Sequence, residues 1–151
     1  MKAFTFRLEQ ALRWRRTQVS LQKSRVAAAA GRLADTQKAL GTVRAELSSA
    51  ASGVTSDPTG GSLGSWAAFK DRSRARIRDY EAQIQVAQRT VNIEMTALVE
   101  ANRKAQLLEN LKQKAQGRWQ QDFDRELAAF ADEAFLGRLQ SESRRARSSG
   151  G

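Results

Sequence analysis

Six apolar residues stand seven apart at the head of this chain: Leu12, Val19, Val26, Leu33, Leu40 and Leu47. A second series, Ile77, Ile84, Val91, Leu98 and Ala105, repeats the spacing after the middle. Seven residues make two turns of a helix wound at about 3.5 residues per turn, and a stripe with that period buries itself only against another helix. Between the series lies a stretch rich in Gly, Ser and Thr that holds the single proline. The pattern predicts an all-α chain of two long helices in an antiparallel coiled-coil hairpin. A rod of this kind has little interior for a catalytic pocket, so function is expected in what it touches.

Composition agrees. Phe, Trp and Tyr make up only 7% of the 151 residues, and Ala, Arg, Leu and Gln are frequent, as in long helices. One coiled-coil domain is expected. Helix 1 is predicted over 5–51 with Thr5 as N-cap, a loop over 52–64, helix 2 over 65–146 from a Ser65 cap, and a frayed tail over 147–151. In helix 1 the intervening seam positions, Leu8, Arg15, Gln22, Ala29, Thr36, Val43 and Ala50, are weaker than the leucine and valine series. Gly31 and Gly41 fall on outward positions, and each costs about 1 kcal/mol against alanine. Asp57-Pro58-Thr59-Gly60 is turn chemistry, since proline presets φ and glycine accepts positive φ.

Folding the two series about residue 58 sets Leu40 opposite Ile77, Leu33 opposite Ile84 and Val26 opposite Val91. On this register residue 5 lies beside about residue 112. The C-terminal helix then overhangs for about 30 residues, roughly 45–50 Å at the helical rise. Leu111, Ala115, Trp119, Phe123, Leu127, Phe130 and Ala134 form an apolar stripe there, with Gly117 as a possible hinge. Such a stripe needs cover. Three covers remain open: a partner protein, a second copy of the chain, or the N-terminal Phe4, Phe6 and Trp14.

The net charge of +10 is uneven. Residues 1–51 carry ten Lys and Arg against three Asp and Glu. Arg72, Arg74, Arg76 and Arg78 crowd the start of helix 2, whereas Asp122, Asp124, Glu126, Asp132 and Glu133 make the overhang acidic. The alternating arginines wind around a helix and do not form one stripe along a phosphate backbone, so specific nucleic-acid binding is not expected. Acidic protein surfaces or anionic lipid headgroups suit the charge better.

Enzyme chemistry finds no footing. The chain has neither Cys nor His, which removes thiolate ligands and the commonest general base and metal ligand. No metal site and no cofactor are expected. Asp122 and Glu126 share a helix face, but a lone helix has no cleft to perturb them. Gly60-Gly61-Ser62-Leu63-Gly64 lacks the Gly-Lys-Ser/Thr of a phosphate loop. No run of about 20 apolar residues exists to span a bilayer. The opening Met1-Lys2-Ala3-Phe4-Thr5-Phe6-Arg7 has no secretory h-region, so a cytoplasmic protein is expected.

Phe4, Phe6, Leu8 and Leu12 make the pattern F-x-F-x-L-x-x-x-L. Further on come Leu108-Glu109-Asn110-Leu111-Lys112-Gln113-Lys114 and Asp132-Glu133-Ala134. This order, spread over about 130 residues, resembles the flagellar export protein FliJ family. The resemblance implies a non-enzymatic component of the flagellar type III export apparatus, built like the two-helix stalk of the rotary ATP synthase gamma subunit. It implies insertion into the hexameric export ATPase, contact with the export gate membrane protein and with substrate chaperones, and a cytoplasmic site at the inner face of the inner membrane. The residues expected to meet the ATPase are Leu8, Leu12, Arg13, Arg16, Trp119, Phe123 and Phe130. Alternative readings are the equivalent stalk of a virulence injectisome and a basic coiled-coil protein that binds nucleic acid.

Overall fold

With no proline inside either heptad run and apolar residues at helical spacing, both halves of the chain become helix. In the computed structural model, α1 spans Glu9–Ser56 and α2 spans Gly60–Ser149. The structure describes residues 2–56 and 60–151, the side chain of Ser62 excepted. Among the described residues there are no strands, and the helices pack antiparallel as an all-α hairpin. Packing divides the chain into two units, Arg15–Arg103 and the first fourteen residues with Lys104–Gly151.

In the unit Arg15–Arg103, the inward positions follow the heptads. Val19, Gln22, Ala29, Leu40 and Val43 are buried, and Val26, Leu33, Thr36 and Leu47 are half-buried. On α2 the matching line is Ser73, Ile77, Tyr80, Ile84, Ala87, Val91, Glu94 and Leu98, none of them exposed. Gln22 sits in the seam at a cost that its partners offset. Its Nε2 donates to the Glu94 carbonyl at 3.0 Å and to the Glu94 carboxylate. That contact is within one residue of the expected register. Arg44 and Glu81 pair at 2.9 Å on the surface, where such pairs contribute about 0.5 kcal/mol. No buried side-chain nitrogen or oxygen lacks a partner among the described residues.

The first fourteen residues differ from expectation. Thr5 is not a cap, because residues 2–6 are non-helical. The Glu9 amide donates to the Phe6 carbonyl at 3.1 Å, and the first α-helical bond runs from the Leu12 amide to the Leu8 carbonyl at 2.9 Å. The reason is packing within this unit. Phe4 lies 6.0 Å from the Trp119 ring, and the Trp119 indole N–H donates to the Lys2 carbonyl at 3.1 Å. An extended segment carries those two groups further along α2 than a helix of the same residues would, since a helix rises only about 1.5 Å per residue.

Helix ends move outward elsewhere. The loop expected over 52–64 is helical up to Ser56 and again from Gly60, and the proposed Asp57–Thr59 turn lies outside the described residues. Gly60 has no positive φ, and Ser65 is inside α2. The hydroxyls of Ser52, Thr55 and Ser56 donate back to the carbonyls of Ser48, Ala51 and Ser52, while Val54 and Trp66 are half-buried. Local propensity for a loop is thus overridden by packing. The tail is helical to Ser149, and α2 runs unbroken through Gly117. No helix among the described residues is long and apolar enough to cross a membrane.

Candidate partner-binding site

The unit formed by residues 1–14 and Lys104–Gly151 holds every expected contact residue except Arg16. Its paired part is short. Leu12 is fully buried, and Ala105, Leu108, Lys112, Ala115 and Trp119 are half-buried on α2. Lys112 takes a seam position that the sequence pattern gives to Leu111, which is 49% exposed. Charge explains the exchange: Lys112 Nζ reaches both carboxylate oxygens of Glu9, at 3.0 and 3.2 Å, with both side chains mostly shielded from water. The apolar stripe therefore begins at Ala115 and not at Leu111.

Beyond Trp119 the environment changes within one turn. Every residue from 120 to 151 is exposed. Phe123 stacks on Trp119 at 5.5 Å with the rings 17° from parallel, and is 36% exposed. Leu127 and Phe130 are 58% and 70% exposed, and Phe135, Leu136 and Leu139 follow. Phe123, Leu127, Phe130 and Ala134 step by four, three and four residues, which places them on one helix face. Glu126 and Glu133 border that face on one side and Asp124 on the other. The arrangement has an apolar centre with acidic borders between Asp124 and Glu133.

The expected contact residues separate into three groups. Phe123 and Phe130 present apolar surface to solvent, with Leu127 between them. Leu8, Arg13 and Arg16 are exposed on or beside the first turns of α1. Leu12 and Trp119 serve the fold. Leu12 is at 0% exposure and offers a partner nothing, and Trp119 is held by Phe4 and the Lys2 carbonyl. That clamp and the Glu9–Lys112 pair were not read from the sequence, although Phe4 was among the covers considered for the stripe. Among the described residues no group of His, Cys, Asp or Glu is arranged to hold a metal ion.

Two long helices with a narrow seam and an uncovered amphipathic end define a coiled-coil protein. The family description "Flagellar FliJ protein" matches residues 4–145, nearly the whole chain. The chain belongs to the FliJ family and is a flagellar type III export-related protein. No curated protein and no solved structure matches it.

Proposed function

We propose that this chain is a non-enzymatic stalk of the flagellar export apparatus, which inserts the end of α2 into the hexameric export ATPase and links it to the export gate and substrate chaperones in the cytoplasm. The observation that carries the reading is the uncovered line Phe123–Leu127–Phe130 with acid on both borders, on a chain of the FliJ family. A lone helix gains little from its own hydrogen bonds in water. Its apolar face is stabilised when a partner covers it. The acidic borders select a groove with an apolar floor and a basic rim, as such charges favour complementary surfaces and raise the encounter rate. Trp119 is already packed, so the contact runs from Phe123 outward, with Leu8 and Arg13 as a second surface.

A titration of the cognate ATPase tests this, read by binding and by its rate of ATP hydrolysis. The full chain is expected to stimulate hydrolysis while hydrolysing none itself. Phe123→Ala with Phe130→Ala is expected to weaken binding at least tenfold, because exposed aromatics that become buried are frequent hot spots. The thermal melt should fall only slightly, since Phe130 lies outside the seam and Phe123 gives up one stack on Trp119, a contact of about 1 kcal/mol. Undiminished binding would move the contact to Leu8 and Arg13.

A further inference from the structure

The unit Arg15–Arg103 carries a different pattern where α1 ends and α2 begins. From Leu47 to Phe69 the sequence holds one charged residue, Asp57. Charged residues are 28% of the chain, so these 23 positions would ordinarily hold about six. The charges resume abruptly at Lys70, and Arg72, Arg74, Arg76 and Arg78 outnumber the interleaved Asp71 and Asp79. A tip with a single charge, Asp57, and a collar of net positive charge are therefore built into the unit Arg15–Arg103.

The tip is apolar at its surface. Trp66 and Phe69 lie 6.2 Å apart and are half-buried, and Leu63 is 49% exposed. Open grooves run beside Trp66, lined by Val54, Ala51 and Leu63 on one side and by Ala50, Val54 and Phe69 on the other. The hydroxyls of Ser52, Thr55 and Ser56 bond to helix carbonyls.

The collar says what it meets. Ser73 is 3% exposed and Ile77 is half-buried, so these two mark the line facing α1. Arg72 and Arg76 lie on one side of that line and Arg74 and Arg78 on the other, all four exposed. A groove in a protein or a nucleic-acid backbone would engage one side of the helix. A plane approached by the tip engages both sides at once. Arg72 follows Trp66 by about 9 Å at the helical rise, comparable with the headgroup layer of one leaflet, roughly 5–8 Å. Trp favours that boundary, and arginine side chains reach for phosphates from it.

We propose that the tip formed by Val54, Leu63, Trp66 and Phe69, with its collar of Arg72, Arg74, Arg76 and Arg78, docks on an anionic lipid surface. The contact is interfacial: Trp66 sits at headgroup depth and the arginines bind lipid phosphates. It does not rest on the ATPase reading, which concerns residues outside the tip and its collar.

The test uses the full chain with Trp14→Phe and Trp119→Phe, leaving Trp66 as the one indole. Vesicles of equal phosphatidylglycerol and phosphatidylcholine are compared with pure phosphatidylcholine, by co-sedimentation and by emission. Binding to the anionic vesicles alone is expected, with a blue shift of Trp66. Each collar arginine is worth about five-fold in affinity, so changing all four to Gln should cost on the order of 10³-fold. Leu63→Asp should also cost at least tenfold, and an equal circular dichroism spectrum shows that it folds. Arg144, Arg145 and Arg147 changed to Gln should alter binding less than about three-fold. The proposal is overturned if anionic vesicles do not bind the chain, if Trp66 emission does not move on binding, or if the tail arginines matter as much as the collar.

Discussion

Helix α2 uses one kind of spacing in two environments. From Ser73 to Leu98 its inward line, Ile77, Ile84, Val91 and Leu98, is covered by α1, and none of these residues is exposed. From 120 onward the line Phe123, Leu127, Phe130 meets water. Both lines are wholly apolar, and the second is the one left open. Spacing therefore defines a face and does not supply its occupant. What supplies the occupant of the first line is a second heptad series in the same chain. No such series faces residues 120–149, because α1 begins at Glu9 and the five residues before its first turn reach only Trp119 and its neighbours.

A charge placed on each line gives the largest expected contrast. Val43 is 2% exposed. Val43→Asp buries a carboxylate without a partner and should cost about 3 kcal/mol or more. Phe130→Asp places the same carboxylate in water and should cost less than about 0.5 kcal/mol. Urea unfolding followed by circular dichroism at 222 nm reads both. Equal losses would mean that residues 120–149 are covered in solution, by a second copy or by the chain itself.

The same contrast shows how far the sequence could be read. The seam was legible because its signal is redundant: eleven residues in two series repeat one period, and burial follows them from Leu12 to Leu98. The uncovered end was legible for the complementary reason, an apolar face with no matching series. The helix boundaries were not. Ser52 and Gly53 at one end and Gly60, Gly61 and Gly64 at the other favour turns in isolation, and the helix they join comes from contacts at Val54 and Trp66. Residues 2–6 misled in the opposite direction. Thr5 resembles a cap, but the fate of that segment depends on Trp119, more than a hundred positions away. Lys112 was displaced from its expected outward place by Glu9, another partner remote in sequence. Of the candidate contacts, Leu12 could not have been separated from Leu8 by periodicity, since both are seam positions, and yet one is fully buried and the other 39% exposed.

A smaller effect comes from the outward face of α1. Gly31 and Gly41 are exposed, and a Cβ at either position would meet nothing within 4 Å. Neither has positive φ. Gly31→Ala with Gly41→Ala should therefore stabilise the chain by about 1–2 kcal/mol, through helix propensity and lower entropy of the unfolded chain. A rise in the urea midpoint at constant slope is the expected reading. A fall would mean that this face is packed.

The smallest expected effect separates the two ion pairs that join the helices. Glu9 and Lys112 are about 30% and 26% exposed, whereas Arg44 and Glu81 are at least half exposed. Coulomb attraction is screened less where water is excluded, but two charges also lose hydration there. For a partly shielded pair with both carboxylate oxygens engaged, the first effect should prevail. Double-mutant cycles with Gln replacements should give a coupling of about 1 kcal/mol for Glu9 and Lys112 and about 0.3 kcal/mol for Arg44 and Glu81. Raising the salt from about 0.1 M to 1 M shortens the screening length to about 3 Å. The exposed pair should then lose its coupling and the shielded pair keep most of it. If both couplings vanish together, the Glu9–Lys112 contact is open to solvent, and the paired part of that unit is held by Leu12, Phe4 and Trp119 alone.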